Sequence, residues 1–289
     1  MDESIESISN EVLELAPVIQ KTIQTAFFRE KSISVGKKDK KTSSKQLQDI
    51  VLDIDHKVGK LYISNIFKKY SNVLRIDSEE KGERIGRGKI TLRLDPIDGS
   101  KHFFMGFPEV ASTASLVFEG VVYFGLVINV LTGDIYYAER GKGAFLNNKK
   151  VNVNNKNIDD NFSFVNYEAP SSALLSKDLT KFNEFSILLA DLTEKSYRTR
   201  NIGVGSTSIC LVADGSSCAY VDLSGTTKIY DVEAAVLIAK EAGAVVGFIN
   251  GEQIVKKFNT FGNKKYLKEN LVVANKKAFS QISNLFIND

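Results

Sequence analysis

Apolar positions recur every three or four residues along the first stretch of the chain. Ile5, Ile8, Val12, Leu15, Ile19, Ile23 and Phe27 form one stripe, which predicts an amphipathic helix over residues 3–28. Pro17 falls inside that pattern, so a kink or a division of the helix is expected there. A second stripe covers residues 47–69 through Leu47, Ile50, Val51, Ile54, Val58, Leu61 and Ile66. The same residues also allow a short strand, DIVLDI, handing over to a helix with Asp55 as its cap. Between the stripes lies VGKKDKKTSSK, residues 35–45, which can build no core. It is expected to be a mobile, solvated loop with room to serve as a lid.

From residue 90 the period changes from helical to alternating. ITLRL is β-branched and ends at Asp95. STASLVF and VVYFGLVINV flank Glu119-Gly120 and read as a hairpin. LTGDIYYAE adds a turn at Thr132-Gly133-Asp134 and another strand, and GKGAFLNNKKVNV continues an antiparallel meander. After about residue 160 strands and helices alternate. FSFVNYEA, RTRNIG, SCAYVDL, AVVGFI and NLVVAN read as strands. SALLSKDLTKFNEFSILLADL, GSTSICLVADG, DVEAAVLIAKEAG and residues 276–287 read as helices, the second and third closed by Gly215 and Gly243 and the third capped by Asp231. A helical front, a meander and an αβ back half imply an α/β fold of layered sheets with helices on their faces.

Composition narrows the function classes. A chain of 289 residues with 43% hydrophobic and 25% charged residues can bury a generous core. A net charge of +3 is too mild to argue for nucleic acid. Cys210 and Cys218 form no CxxC pair, which excludes a zinc cluster or disulfide framework from the expectation. The acidic start MDESIESISNEV lacks the features of a signal peptide, and no apolar run approaches membrane-spanning length. A cytoplasmic protein is expected, with neither a membrane nor a nucleic-acid partner.

Acidic positions carry the candidate chemistry: Glu79 and Glu80 in LRIDSEEKGE, Asp95 and Asp98 in LRLDPIDGSKHF, and Asp231 in DVEAAVLIAKEAG. Each has an ordinary reading. A Glu-Glu pair in a polar loop is usually just solvated, Asp-Pro-x-Asp-Gly makes a good turn, and an aspartate heading a helix caps it. Together they fit a magnesium scheme. The carboxylates of Asp95 and Asp98 and the carbonyl of Ile97 can converge on one hard cation, with Gly99 and Ser100 offering backbone N–H groups to a phosphate. Two such cations about 3.5–4 Å apart can clamp both oxygens of an in-line displacement.

DPIDGSKHF resembles the DPIDGT-x-NF signature of the inositol monophosphatase-like family of metal-dependent phosphatases. SEE resembles that family's Gly/Ser-Glu-Glu element. IYDVEAAVLIAKEAGAVV resembles its second signature, which opens Trp-Asp-x-Ala-Ala and ends Glu-Ala-Gly-Gly. GVGSTSICLVADGSSCAYVD and GLVINVLTGDIYYAERGKGAFLNNKKV resemble its Gly-Ser/Thr-Ala helix and its meander. The motifs occur in the family's order from about residue 47 to the C-terminus, a far more specific signal than one short motif.

The resemblance implies a layered α/β sandwich with an N-terminal half over 1–160, a C-terminal half over 161–289, and the active site between them. It implies Mg²⁺, two or three ions with Mn²⁺ as a substitute, held by Glu79, Asp95, Ile97, Asp98 and Asp231. Glu79, Asp98 and Ser100 would be catalytic, Ser100 standing where the family has threonine. Gly99, Ser100, Gly205, Ser206, Thr207, Asp222 and Asp231 would face the substrate. Asp55 matches an aspartate near a third metal, although Leu52 replaces the threonine that accompanies it. Tyr230 replaces the signature's tryptophan. The implied reaction is hydrolysis of a small polyol or sugar phosphate by activated water. Inositol monophosphate comes first, with fructose 1,6-bisphosphate and 3′-phosphoadenosine 5′-phosphate as alternatives, and a homodimer and lithium inhibition are expected from the family. A phosphate-binding protein without turnover is the competitor from another class. A calcium loop and a haloacid-type phosphatase fit the motifs less well.

Overall fold

The computed structural model describes residues 2–34, 53–79, 84–170, 179–224, 227–250, 253–255, 267 and 270–286. Helix α1 spans Asp2–Ser34, and Pro17 lies within it without dividing it. The stripe from Ile5 to Phe27 is buried, while Val18 and Phe28 on other faces are exposed. Helix α2 spans Asp53–Tyr62 and continues through a π-helical turn, Ile63–Phe67, into a last turn at Lys68–Tyr70. Residues 53 and 54 are already helical and Asp55 lies in the first turn, so no strand hands over to a helix at that position. Two acids in that turn complement the helix dipole. The lysine-rich segment 35–45 and residues 47–52 lie outside the described residues.

The first sheet contains β1 (Leu74–Ser78), β2 (Arg84–Ile85), β3 (Ile90–Asp98), β4 (Ala111–Phe118), β5 (Val121–Asn129), β6 (Ile135–Glu139), β7 (Gly143–Leu146) and β8 (Lys149–Val151), in the order β2-β1-β3-β4-β5-β6-β7-β8. From β3 to β8 it is the expected antiparallel meander. Glu119 and Gly120 have φ of 48° and 77°, and Asn147 and Asn148 have φ of 48° and 64°, the left-handed pairs that two-residue hairpins require. β1 departs from the meander, because it runs parallel to β3 with Ser78 opposite Leu94. A short helix, α3 (Ser100–Met105), follows β3.

The second sheet contains β9 (Val165–Glu168), β10 (Thr199–Arg200), β11 (Ala219–Asp222), β12 (Val245–Asn250), β13 (Gln253–Val255) and β14 (Asn270–Ala274), in the order β10-β9-β11-β14-β12-β13. Four further helices are α4 (Leu179–Lys195), α5 (Gly205–Ala213), α6 (Ile229–Glu241) and α7 (Lys276–Leu285). Gly215 and Gly243 follow α5 and α6 at φ of 80° and 97°. The N-cap of α6 is Lys228 rather than Asp231, which sits in the first turn. α6 begins at Ile229, two residues before Asp231, so that Asp231 is left available for other contacts.

Three apolar clusters separate five layers. Ile8, Val12, Ile19 and Val58 of α1 and α2 meet Leu74, Leu92, Leu116 and Leu126 on one face of the first sheet. Its other face, through Val117, Val127 and Ala138, packs on Ile209 of α5 and Val232 and Val236 of α6, which also cover Tyr220 and Val273 of the second sheet. The far face of that sheet buries Val221, Val272 and Ala274 against Leu188, Leu192, Phe279 and Ile282 of α4 and α7. The architecture is therefore an α/β/α/β/α sandwich, as the alternating pattern and the resemblance led one to expect. Cys210 and Cys218 are buried free thiols. No described helix is long and apolar enough to cross a membrane.

The depth at which α6 lies on the first sheet is set by a glycine. A Cβ on Gly125 of β5 would sit 2.6 Å from the Ala234 carbonyl oxygen and 3.0 Å from its Cα. Helix and strand backbones thus touch, and α6 sinks far enough to bring its first turn to the ends of β1 and β3. Gly125→Ala should lower stability by about 1–3 kcal/mol, the usual range for overpacking. Urea melts should show a lower midpoint at unchanged slope, and an unchanged midpoint would mean that α6 is not held at this depth.

Candidate metal centre

The parallel pairing of β1 and β3 places their C-terminal ends side by side. Glu79 follows β1, and its N–H donates to the Leu94 carbonyl at 2.9 Å, one residue before Asp95. β3 then bulges: Asp95 pairs with Thr113 and Asp98 with Ala111, leaving one extra residue on the β3 side. Pro96 fits in the bulge because it has no donor to lose from the ladder. The N–H of Ile97 donates to Asp95 Oδ1 at 3.0 Å, which orients that carboxylate. Gly99 follows in the left-handed region at φ 89°, where a Cβ would come 3.0 Å from the Glu109 carbonyl oxygen. Ser100, half-buried, opens α3.

Glu79, Asp95 and Asp231 each present a carboxylate oxygen such that the three atoms lie within 4.8 Å of one another. Asp98 lies beside them and accepts the Ser206 hydroxyl at 2.5 Å. The backbone N–H of Ser206, in the first turn of α5, also bonds that carboxylate. Burial, then repulsion from Glu79, Asp231 and Asp98, pushes Asp95 well above the usual carboxylate range. Burial, then repulsion from Asp98 and Glu79, does the same to Asp231, against the pull of Lys228. Asp98 is pushed up to about 6 by burial, against the Ser206 hydrogen bonds.

These residues fit a hard divalent cation. Asp231 Oδ1 is buried and has no hydrogen-bond partner, and three carboxylate oxygens converge where a metal takes exactly such donors in place of solvent. Lys228 supplies a positive charge at the edge of the cluster, its ammonium bonding Glu79. Burial pulls the Lys228 pKa down, but attraction to Glu79, Asp231 and Asp95 outweighs it and holds the ammonium charged.

The remaining residues singled out in the sequence fall at different places. Gly205 starts α5, and a Cβ there would lie 3.2 Å from the Tyr220 hydroxyl. Thr207 is buried, and its hydroxyl donates back to the Val204 carbonyl at 3.1 Å, so its one donor is already committed. Asp222 ends β11, where its carboxylate holds the Ser224 N–H at 2.8 Å and the Thr227 hydroxyl. Asp55 is buried in α2 and is not among the three oxygens that converge. Glu80 lies outside the described residues.

Two residues near the site escaped the sequence reading. Lys228 is one. Glu168 ends β9 directly beside Asp222 in the parallel register, and burial with repulsion from Asp222 and Asp98 pushes it up to about 7. Both strands close on an acid, VNYE and AYVD, and that shared ending was the available signal.

A five-layer sandwich that gathers acids from two strand ends and one helix start defines the fold class of inositol monophosphatase-like proteins. The crystal structure of extragenic suppressor protein suhB from Bartonella henselae has the same fold, with a TM-score of 0.77 at 21% identity over 98% of this chain and 99% of that one. The profile of the Inositol monophosphatase family matches residues 5–286, and the chain belongs to that family. It is 32% identical over 220 residues to the fructose-1,6-bisphosphatase/inositol-1-monophosphatase of Methanocaldococcus jannaschii, covering 75% of this chain and 79% of that one. Human inositol monophosphatase 1 is 32% identical over 213 residues, 70% of this chain and 72% of that one. Nus factor SuhB of Vibrio cholerae is 29% identical over 206 residues, 71% of this chain and 74% of that one. The first two of these relatives carry the names of phosphatases.

Three outcomes follow, the first for the metal-free protein. The raised pKa values of Asp98 and Glu168 exceed those of an unfolded chain, about 3.9 and 4.3. The fold therefore holds protons that the unfolded chain has lost between about pH 4 and pH 7, and its stability should fall as pH rises through that window. Melts in EDTA should give a higher Tm at about pH 5 than at about pH 7.5, and the reverse order would contradict the assignment. Divalent cation at a hundredfold excess over its Kd should add about 2.7 kcal/mol of stability. Lys228→Gln, by removing the ammonium that competes for Glu79, should tighten Mg²⁺ binding in calorimetry by about tenfold, or ~1.4 kcal/mol.

Proposed function

We propose that this protein is a Mg²⁺-dependent phosphomonoesterase acting on a small polyol or sugar phosphate, with inositol monophosphate first among the substrates. The convergence of Glu79, Asp95 and Asp231 within 4.8 Å, next to Asp98 at the start of α5, carries that reading. Fructose 1,6-bisphosphate and 3′-phosphoadenosine 5′-phosphate are the alternatives within the family. Glu79, Asp95, the Ile97 carbonyl, Asp98 and Asp231 would hold two or three Mg²⁺ ions, with Mn²⁺ as substitute. Bound there, the cations supply Lewis acidity that makes water a better nucleophile and offsets phosphoryl charge.

The chain's own groups do the rest. Glu79 would take up the proton of the attacking water, with the Ser100 hydroxyl as relay: it accepts the water's proton as it passes its own to the carboxylate. The Gly205 N–H at the start of α5 points partial positive charge at the phosphoryl oxygens, while Ser206, whose hydroxyl and N–H both bond Asp98, holds that carboxylate beside them. Gly99 leaves the backbone close to that phosphate. Thr207 donates its hydroxyl to the Val204 carbonyl just before α5, which leaves it only acceptor capacity toward a ligand. Asp222, with Glu168 beside it, accepts hydrogen bonds from substrate hydroxyls on the far wall. Attack is in line and passes through no phosphorylated side chain.

The halves 1–160 and 161–289 meet at this site in our reading. A net charge of +3 supports a small phosphate ester rather than nucleic acid as partner, and supports no membrane role. A cytoplasmic location is part of this reading, supported by the free thiols of Cys210 and Cys218. Phe104, Met105 and Phe107, exposed beside α3, support a homodimer.

A panel of inositol, sugar and nucleotide phosphates, assayed for phosphate release with Mg²⁺ and with EDTA, tests the proposal. Release from at least one ester, abolished by EDTA, is expected. Asp95→Asn should reduce it by at least about 10²–10³-fold, the scale of losing one preorganised charge-stabilising group, while the melting curve stays cooperative. Esters that bind in calorimetry without release would identify a protein that recognises phosphate but does not turn it over. Neither binding nor release would favour a role like that named for the Vibrio cholerae relative, a Nus factor.

A further inference from the structure

Beneath the acidic cluster lies a second row of charge that the reaction does not use. Asp77 on β1, Arg93 on β3 and Ser115 on β4 are register partners across three strands. Each lies one pleat below the site: Asp77 two residues before Glu79, Arg93 two before Asp95, and Ser115 two after Thr113, the register partner of Asp95. All three are buried. From the other side α6 brings Glu233, 1% exposed, two residues after Asp231. Arg93 Nη1 donates to Glu233 Oε1 at 2.6 Å, the Ser115 hydroxyl donates to Glu233 Oε2 at 2.7 Å, and Arg93 Nε lies 3.8 Å from Asp77 Oδ2. The Tyr230 hydroxyl donates to Asp77 Oδ1 at 3.2 Å, and the Thr113 hydroxyl donates to the Tyr230 carbonyl at 2.7 Å.

Every segment that carries a converging carboxylate is thus tied to this layer. Two of its members are departures from the family's second signature: Tyr230 stands at its tryptophan and Glu233 at the first of its paired alanines. The two departures meet the charges of β1 and β3 rather than lying apart.

Stability alone does not call for such a layer. Desolvating a buried ion pair costs as much as its attraction returns, and apolar residues of similar volume often hold a fold at least as well. What hydrogen-bonded charge adds is direction. Apolar packing tolerates a small slide of a helix on a sheet, whereas a short charge-assisted hydrogen bond such as that from Arg93 Nη1 to Glu233 accepts few positions.

We propose that Arg93, clamped between Glu233 and Asp77, is a positioning residue that fixes α6 against β1 and β3 so that Glu79, Asp95 and Asp231 stand in metal-binding geometry before any cation arrives. The inference rests on the reading of that cluster as a metal site. It makes Arg93 and Glu233 determinants of metal affinity without either one touching the metal.

The test is Mg²⁺ binding by calorimetry, with the metal alone as probe, in the full chain and in a variant combining Arg93→Ile with Glu233→Ala. That pair removes one charge of each sign, so the long-range field at the site is unchanged. The variant should melt within a few degrees of wild type yet bind Mg²⁺ about 10–100-fold more weakly, the range for lost orienting partners of metal ligands. Its kcat at saturating Mg²⁺ should change far less than its Mg²⁺ requirement. Arg93→Lys, which keeps the charge but not the guanidinium, should fall between. An unchanged Mg²⁺ Kd in the folded double variant overturns the proposal. If that variant does not fold, Glu233→Gln is expected to weaken Mg²⁺ binding by a smaller factor, and an unchanged Kd there overturns it equally. A wild-type chain that takes up neither Mg²⁺ nor Mn²⁺ refutes the metal reading itself, a result distinct from a variant that binds as tightly as wild type.

Discussion

Carboxylates held together away from water repel one another, and this repulsion is the constraint around which the protein is organised. Asp95 and Asp231 are driven toward protonation first by burial and then by each other's neighbours. Removing charge from water without a partner is costly, so a fold keeps such a cluster only where rigid elements force it and where a cation can relieve it. Here Lys228 relieves part of it from one side, and Asp231 Oδ1 is left with no hydrogen bond.

The forcing elements are few. A single parallel strand pair within an otherwise antiparallel sheet brings Glu79 beside Asp95. A bulge turns Asp98 toward α5. The depth of α6, allowed by the missing side chain at Gly125, delivers Asp231 from a point well over a hundred residues further along the chain. Burying the apolar face of α6 between two sheets supplies the energy, since each fully buried Val, Leu or Ile contributes roughly 1.5–3 kcal/mol. The directional bonds of Arg93 and Glu233 then set where on the sheet that apolar contact settles. Function in this fold sits at the junction of layers, where strand and helix ends leave polar groups that the cores cannot absorb.

Membership of the inositol monophosphatase family fixes the chemistry to be sought but not the ester. Relatives at nearly the same identity carry different names, two of phosphatases and one of a Nus factor. In the proposed site, the wall that would distinguish esters is that of Asp222 and Glu168, at the ends of paired strands in the second sheet. Acids there suit neutral hydroxyl groups more readily than a second phosphate. On that proposal, selectivity and metal grip would come from different layers of the sandwich and could vary separately.

By itself the sequence determined whatever depends on near neighbours. The seven-residue stripe of α1, the hairpin at Glu119-Gly120 and the helices closed by Gly215 and Gly243 were legible because their periods and turn residues act over a few positions, whereas the turn at Asn147-Asn148 was read only as continuing strand. The motif around Asp95 was legible because six residues in a fixed order carry it. Only the tertiary structure decided that β1 runs parallel to β3, that Asp231 lies inside α6 while Lys228 caps it, and that Thr207 donates its hydroxyl to the Val204 carbonyl. It alone joined Arg93 to Glu233, which are 140 residues apart. Hydrophobic periodicity says which face of an element is buried, but not which other element covers it. Partners for buried charge are chosen by that covering, so they exist only once the layers have closed.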